Sequence, residues 1–297
     1  MERQGKEIFA AGLGCAIADS SFNTFATACT KLQLHKEYYK PSTVSQCLRQ
    51  TAFEDGFIRG LALPGLQATV LRSFTYVGFR IGLYPSVKRA VSGENKTPRL
   101  KDKIIAGCIT GGIGSALFCP IDIVRLTCQA DAGTISNGVM MTGLRKGKAP
   151  RFPKNVFLSL LTIARSSGVK GLYKGASPTI ARATFLSAGQ LASYDSLKEF
   201  AREKLSGGEE NAALHVVCSV LSGLIAQSIV QPFDVMRSYF MAVDNASLKS
   251  MAKLARVEGF GWFYRGYLAA LCRQGPIMLI QMPLIEHIRV SIGVGYM

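Results

Sequence analysis

Pro120-Ile-Asp122-Ile-Val-Arg125 and, further along, Pro232-Phe-Asp234-Val-Met-Arg237 are two copies of one pattern. A proline comes first, an acid two residues on, and a base three beyond that. Each copy closes an apolar stretch: 104–121 and 212–233 contain no Asp, Glu, Lys or Arg. Stretches of this length suit a hydrocarbon core of about 30 Å. Downstream of the copies lie Gly168-Val-Lys-Gly-Leu-Tyr-Lys174-Gly175 and Glu258-Gly259-Phe-Gly-Trp-Phe-Tyr-Arg265-Gly266, again in step. In the N-terminal part, Lys31-Leu-Gln33 fixes the register. Thr24, Ala26 and Cys29 then stand where the other units have proline, acid and base, and the link from Asp55-Gly56 to Gly65 is two residues longer than its counterparts. The period near 100 residues fits three hairpins of two helices each. The predicted organisation is a first, degenerate repeat over 1–97, a second over 98–205 and a third over 206–297.

Arg72, Arg182 and Arg273 each follow a glycine (Gly65, Gly175, Gly266) by seven residues, inside largely apolar stretches: 61–87, 176–194 and 267–285. With 8–30, broken only by Asp19, these complete six candidate spans. An arginine in an apolar helix is costly and marks a functional site by default. Three in one phase suggest a threefold arrangement converging on a negative ligand. Small residues also recur in register, as Ala11/Cys15, Gly107/Gly111 and Ser219/Gly223. Spaced by four, they let helix backbones approach closely in lipid.

The chain has 297 residues and a net charge of +16, which attracts anionic solutes or anionic lipid. Its basic residues are scattered through helix ends and loops, with one loop cluster at Arg145–Lys148 and Arg151, so a nucleic-acid partner is not expected. Eight cysteines show no CxxC spacing and no His partners, and read as small apolar side chains rather than a metal site or disulfide framework. The N-terminus lacks a cleavable-signal pattern, so the first span is expected to be retained. His35, His215 and His287 are dispersed, and neither a phosphate loop nor a calcium loop is present. Neither enzymatic chemistry nor a cofactor is expected.

The two Px[DE]xx[KR] copies, each followed by an aromatic-base-glycine signature, resemble the mitochondrial carrier family over nearly the whole chain. Within it, the helix from Arg72 through Tyr76 and Arg80 to Tyr84, together with Arg182-Ala183 and Gln190, is similar to the branch of 2-oxoglutarate/malate carriers, dicarboxylate carriers and uncoupling proteins. Cys15-Ala-Ile-Ala-Asp19 is similar to the first helix of uncoupling proteins. The resemblance implies an all-α membrane protein: six transmembrane helices in three pseudo-threefold repeats, with short matrix helices expected at 44–54, 154–166 and 248–257. It also implies a multi-pass chain of the mitochondrial inner membrane, working as a monomer in contact with membrane lipid, cardiolipin included.

On that resemblance, Arg72, Arg182 with Ala183, and Arg273 are the substrate contact points. Arg80, Gln190 and Gln281, eight residues further on, are secondary contacts, and Asp19 faces the cavity. A matrix gate is implied at Asp122, Arg125, Asp234 and Arg237. Asp122–Arg237 is its complete pair, Arg125 faces Ala26, and Asp234 faces Cys29. Gln33 and Gln129 brace the gate, with Met241 at the third brace position. A cytoplasmic gate is implied at Asp195–Arg289 and Glu286–Lys88, with Pro85 opposite Lys198. The function implied is exchange of small dicarboxylates of the malate/2-oxoglutarate type by alternating access. The alternatives are an uncoupling-type proton or fatty-acid-anion leak, and a carrier-derived receptor or scaffold.

Overall fold

The computed structural model describes residues 2–34, 43–93, 100–136, 138–142, 146–151, 155–204, 212–244 and 246–293. Among them the chain is helical apart from a two-stranded hairpin pairing Ile135 with Met140 and Ser136 with Val139. The first repeat contains α1 (Glu2–Ser21), α2 (Asn23–Leu34), α3 (Val44–Asp55) and α4 (Leu66–Ser92). The second contains α5 (Leu100–Leu117), α6 (Cys119–Ala130), α7 (Val156–Leu172) and α8 (Ala176–Lys204). The third contains α9 (Ala212–Ala242), α10 (Leu248–Glu258) and α11 (Tyr267–Ser291). Helix α1 packs on α4, α4 on α5, α5 on α8, α8 on α9, α9 on α11 and α11 back on α1. The six long arms therefore close a ring. The second halves of the odd arms, α2, α6 and the C-terminal part of α9, touch one another and shut one end of it.

Each odd arm bends, or carries a proline, where its motif begins. Helices α5 and α6 meet at Phe118 with a bend of 67°, since Pro120 lacks the N–H that would continue the ladder. The first repeat breaks at Phe22 without a proline. Asn23 supplies the reason: its buried Nδ2 donates to the carbonyls of Ala62 (2.7 Å) and Pro64 (2.9 Å). The Thr27 hydroxyl adds a bond to Leu61 O at 3.0 Å. The link to the even arm thus takes over the bending.

The three links share one device. Gly65, Gly175 and Gly266 have φ of 67°, 80° and 70°, a left-handed turn that glycine adopts without steric cost. Each sits on the brace position of the following repeat. A Cβ at Gly65 would lie 3.3 Å from Gln129 Cγ and 2.9 Å from Arg125 O, one at Gly175 3.0 Å from Met241 Cγ, and one at Gly266 3.1 Å from Gln33 Cγ. These contacts clip repeat to repeat around the axis. The first repeat's longer link is accommodated as a π-helical turn, Ile58–Ala62, whereas the third repeat makes a 3₁₀ turn, Phe260–Tyr264.

Two of the expected short helices begin where predicted, and the second runs Val156–Leu172, later and longer than 154–166, with a break at Gly168 (φ 63°). Helix α10 begins at a capping box, in which the Ser247 hydroxyl accepts from Lys249 N at 3.3 Å and the Ser250 hydroxyl accepts from Ser247 N at 3.0 Å. The small-residue reading holds for Ala11/Cys15 and Gly107/Gly111 and fails at Gly223, while the side chain of Ser219 lies outside the described residues. Ala11 and Cys15 pack against Ile285, and a Cβ at Gly107 would lie 3.5 Å from Ser187 Cβ and one at Gly111 3.7 Å from Ala183 Cβ. A Cβ at Gly223 would meet nothing within 4 Å, so no neighbouring backbone uses that gap.

By length and apolarity alone, one described stretch, Phe260–Ser291, qualifies as a membrane span, and the bent pair Lys101–Leu117 with Cys119–Ala130 is a second. Asp19 in α1, Arg72 and Arg80 in α4 and Arg182 in α8 place ionised side chains within three of the other arms.

Candidate functional site

The site is assembled at the neck of the ring, where the motif residues of the odd arms meet the arginines of the even arms. Asp122 is 1% exposed and receives two cations: Arg237 of α9 with Nη2 at 2.9 Å, and Arg72 of α4 with Nε at 2.5 Å. Arg72 also lies over the Tyr76 ring, 4.9 Å from its centroid, a cation–π contact that helps hold it in the interior. One third of a turn round the axis, Arg182 of α8 donates its Nε to Asp234 of α9. The other Asp234 oxygen accepts from Gln227 Nε2 at 3.2 Å.

The same geometry repeated once more would join Arg273 of α11 to the residue at position 26. That residue is Ala26, and Arg273 has no ion-pair partner among the described residues. Arg125, the α6 base that would share such an acid, is 8% exposed and its Nε has no hydrogen-bond partner among the described residues. Both arginines line one pocket with Ala26, Cys29, Thr30 and Gln33. The pocket encloses about 60 Å³ of water-accessible space, on a scale where one water needs about 10–15 Å³.

The brace positions lie just beneath. Gln33 Oε1 accepts from the Ser238 hydroxyl at 2.6 Å, tying α2 to α9. Gln129 donates to Asn23 Oδ1 at 3.0 Å and accepts from Thr30 at 3.2 Å, tying α6 to α2. At the third position Met241 has no amide to offer; its carbonyl accepts from Thr127 at 3.4 Å, so the backbone makes the link there.

Two expected site residues are engaged in helix contacts. Ala183 is buried against Gly111 of α5, so it packs a helix interface instead of completing a contact point. Gln281 donates to Cys15 Sγ at 2.7 Å and is engaged across the α11–α1 seam. Arg80 and Gln190 are half-buried. Asp19 accepts from the Ser73 hydroxyl at 2.6 Å, next in sequence to Arg72. At the opposite end, no ion pair joins Lys88 to Glu286 among the described residues, and Arg289 approaches Glu7 of α1 at 3.7 Å. The side chains of Asp195 and Lys198 lie outside the described residues.

Sequence reasoning missed Ser73, Tyr76 and Gln227, which hold Asp19, Arg72 and Asp234 in place. Their only signal is helical spacing: Ser73 and Tyr76 lie one and four residues after Arg72, and Gln227 lies seven before Asp234.

Comparison of the sequence with known proteins accounts for the three hairpins. The family model described as mitochondrial carrier protein matches residues 2–95, 97–205 and 208–293. The chain belongs to the mitochondrial carrier family. It is an all-α membrane carrier. It is 29% identical over 253 residues to the mitochondrial citrate transporter F of Aspergillus niger, covering 83% of this chain and 77% of that one. It is 29% identical over 237 residues to a probable mitochondrial 2-oxoglutarate/malate carrier protein of Dictyostelium discoideum, covering 76% and 70%. It is 33% identical over 233 residues to mitochondrial uncoupling protein 4 of Arabidopsis thaliana, again covering 76% and 70%. The carrier is thus about equally similar to relatives of three different names.

Proposed function

We propose that this carrier is a multi-pass protein of the mitochondrial inner membrane that exchanges small dicarboxylate anions by alternating access. The observation that supports it is the charge balance at the neck. Arg72 and Arg237 meet Asp122 and Arg182 meets Asp234, while Arg125 and Arg273 line the adjoining pocket and Asp19 lies nearby on Ser73. Five cations against three anions leave an excess of two positive charges, which a dianion neutralises and a monoanion does not. Arginine remains charged at any physiological pH and takes a carboxylate through a planar fork. At an effective dielectric near 20, each close pair contributes roughly 4 kcal/mol before desolvation is subtracted.

The gating follows from the same residues. The end where α2, α6 and α9 meet is closed in this structure, with Asp122–Arg237 across it. A dicarboxylate entering from the other end meets Arg273 and competes with Asp122 and Asp234 for Arg72 and Arg182. Freed of their arginines, those acids hold the neck less firmly, and it opens on the far side. Gln33 and Gln129 re-form the closed end when the substrate leaves. The family relatives named for citrate and 2-oxoglutarate/malate are consistent with a small organic acid. Vesicles containing the purified chain and loaded with malate test the reading. Labelled dicarboxylate should enter only against internal counter-substrate, and no uptake of any dicarboxylate rejects the proposal.

A second reading, an uncoupling-type leak, is favoured by the Asp19–Ser73 contact, which places a titratable acid inside an arm. Proton conductance that Asp19→Asn leaves unchanged counts against it.

A further inference from the structure

The three repeats differ at the position where each presents an acid to the neck. Asp122 collects the base of the following repeat, Arg237, and the even-arm arginine of its predecessor, Arg72. Asp234 collects Arg182 by the same rule, and its other cation is absent because Cys29 stands at the base position. By threefold symmetry the residue at 26 should collect Arg125 and Arg273. An alanine there provides no charge, and its side chain stops at Cβ. Two cations therefore converge on a gap.

We propose that the space over Ala26 is an oxyanion subsite, where one oxyanion held between Arg125 and Arg273 replaces the carboxylate that the first repeat lacks. Bound there, the anion supplies the counter-charge that the first repeat does not bring to the neck. This rests on the reading that the neck is a gate, and it adds a ligand to the gate itself.

Three observations carry it. Arg125 is more than nine-tenths buried, with no acidic ion-pair partner among the described residues and an orphaned Nε, and a buried cation without a counter-charge is strongly unfavourable. Arg125 and Arg273 line the same water-accessible pocket as Ala26, so a ligand there reaches both. The remaining polar groups leave the place open. Asp234 is engaged by Arg182 and Gln227, and the Thr30 hydroxyl is engaged by Ala26 O and Gln129. Gln33, with its oxygen taken by Ser238, keeps an amide N–H donor for the anion. The ligand chemistry is that of a single oxyanion, supplied either by inorganic phosphate or by one carboxylate of a transported acid.

The test is thermal unfolding of the full chain purified in detergent, titrated with sodium phosphate or with malate, ionic strength being held with sodium chloride. The wild-type melting temperature should rise saturably with the occupying anion. Ala26→Asp should raise it without added anion and weaken the half-saturating concentration by roughly tenfold to a hundredfold, the range for losing a charge-assisted bond. Ala26→Ser, neutral and nearly as small, should respond like wild type. Arg125→Gln, which adds no bulk, should also weaken the response and carries the test if Ala26→Asp fails to fold. A response to phosphate supports a free oxyanion, and a response to malate alone supports a substrate carboxylate. A response equal in wild type, Ala26→Asp and Arg125→Gln overturns the subsite, as does no saturable response to either probe. A response abolished by Ala26→Asp, in a protein that moves no dicarboxylate, upholds the subsite and rejects only the transport reading.

Discussion

Arg72 on α4 and Asp122 on α6 lie 2.5 Å apart, so an arginine in line for a ligand is already committed to a carboxylate of the neck. Asp122 serves two guanidinium groups at once, and both belong to other repeats. It is therefore the residue whose loss disturbs the closed end most.

Asp122→Asn keeps the shape and removes the charge. Breaking a buried pair by deleting one partner costs about 3–5 kcal/mol, and here two arginines are left uncompensated. The variant should melt well below wild type and exchange substrate poorly. Unchanged melting and unchanged uptake together would mean that the neck does not close through this residue.

Arg182 and Asp234 form the second such contact. Arg182→Ala, Asp234→Ala and the double variant make a cycle in which the coupling should reach roughly 0.5–3 kcal/mol, as for residues in direct contact. Arg182→Lys keeps the charge but not the planar fork and should fall between wild type and Arg182→Ala. Additive effects on chemical denaturation would show that the two side chains act separately.

Gly65 and Gly223 should respond to alanine in opposite directions. Gly65 has φ 67° and its Cβ would lie 2.9 Å from Arg125 O. The left-handed conformation alone costs an L-residue about 1–2 kcal/mol, so Gly65→Ala should lower the melting temperature. Gly223 lies within helix α9 with open space around it, and alanine there should be neutral or stabilise by roughly 0.5–1 kcal/mol. A stabilising Gly65→Ala would refute the clip between the first and second repeats.

Lys31 and Asp55 form a fully buried ion pair at 3.5 Å between α2 and α3. The other Asp55 oxygen accepts from Thr134 N at 3.1 Å and from the Thr134 and Thr142 hydroxyls, anchoring the hairpin of the second repeat to the first. Asp55→Asn should cost about 3–5 kcal/mol and speed proteolytic cleavage near residues 134–142. Equal cleavage rates in the variant and wild type would show that the hairpin is held by other contacts.

Much of this fold could be read from residue spacing. Gly65, Gly175 and Gly266 announce the same turn three times because a left-handed φ is a local demand. Pro120 marks a bend because the missing N–H belongs to that residue alone. The kink at Phe22 was not legible, since the Asn23 amide that replaces the proline bonds to carbonyls about 40 residues away. Glycine at 223 looked like a close-packing residue, yet small size states what a neighbour could do and not whether a neighbour is there.

The sequence by itself determined the three hairpins, the arginine in each even arm, and the loss of acid and base at Ala26 and Cys29, because periodicity and backbone chemistry act over a few residues. Only the tertiary structure decided which charges meet. It turned Arg72 onto Asp122 and Arg182 onto Asp234, buried Ala183 against Gly111, and left Arg125 and Arg273 sharing one pocket. Partner choice is decided by which helices lie side by side around the axis and how far each arginine's flexible stem can reach.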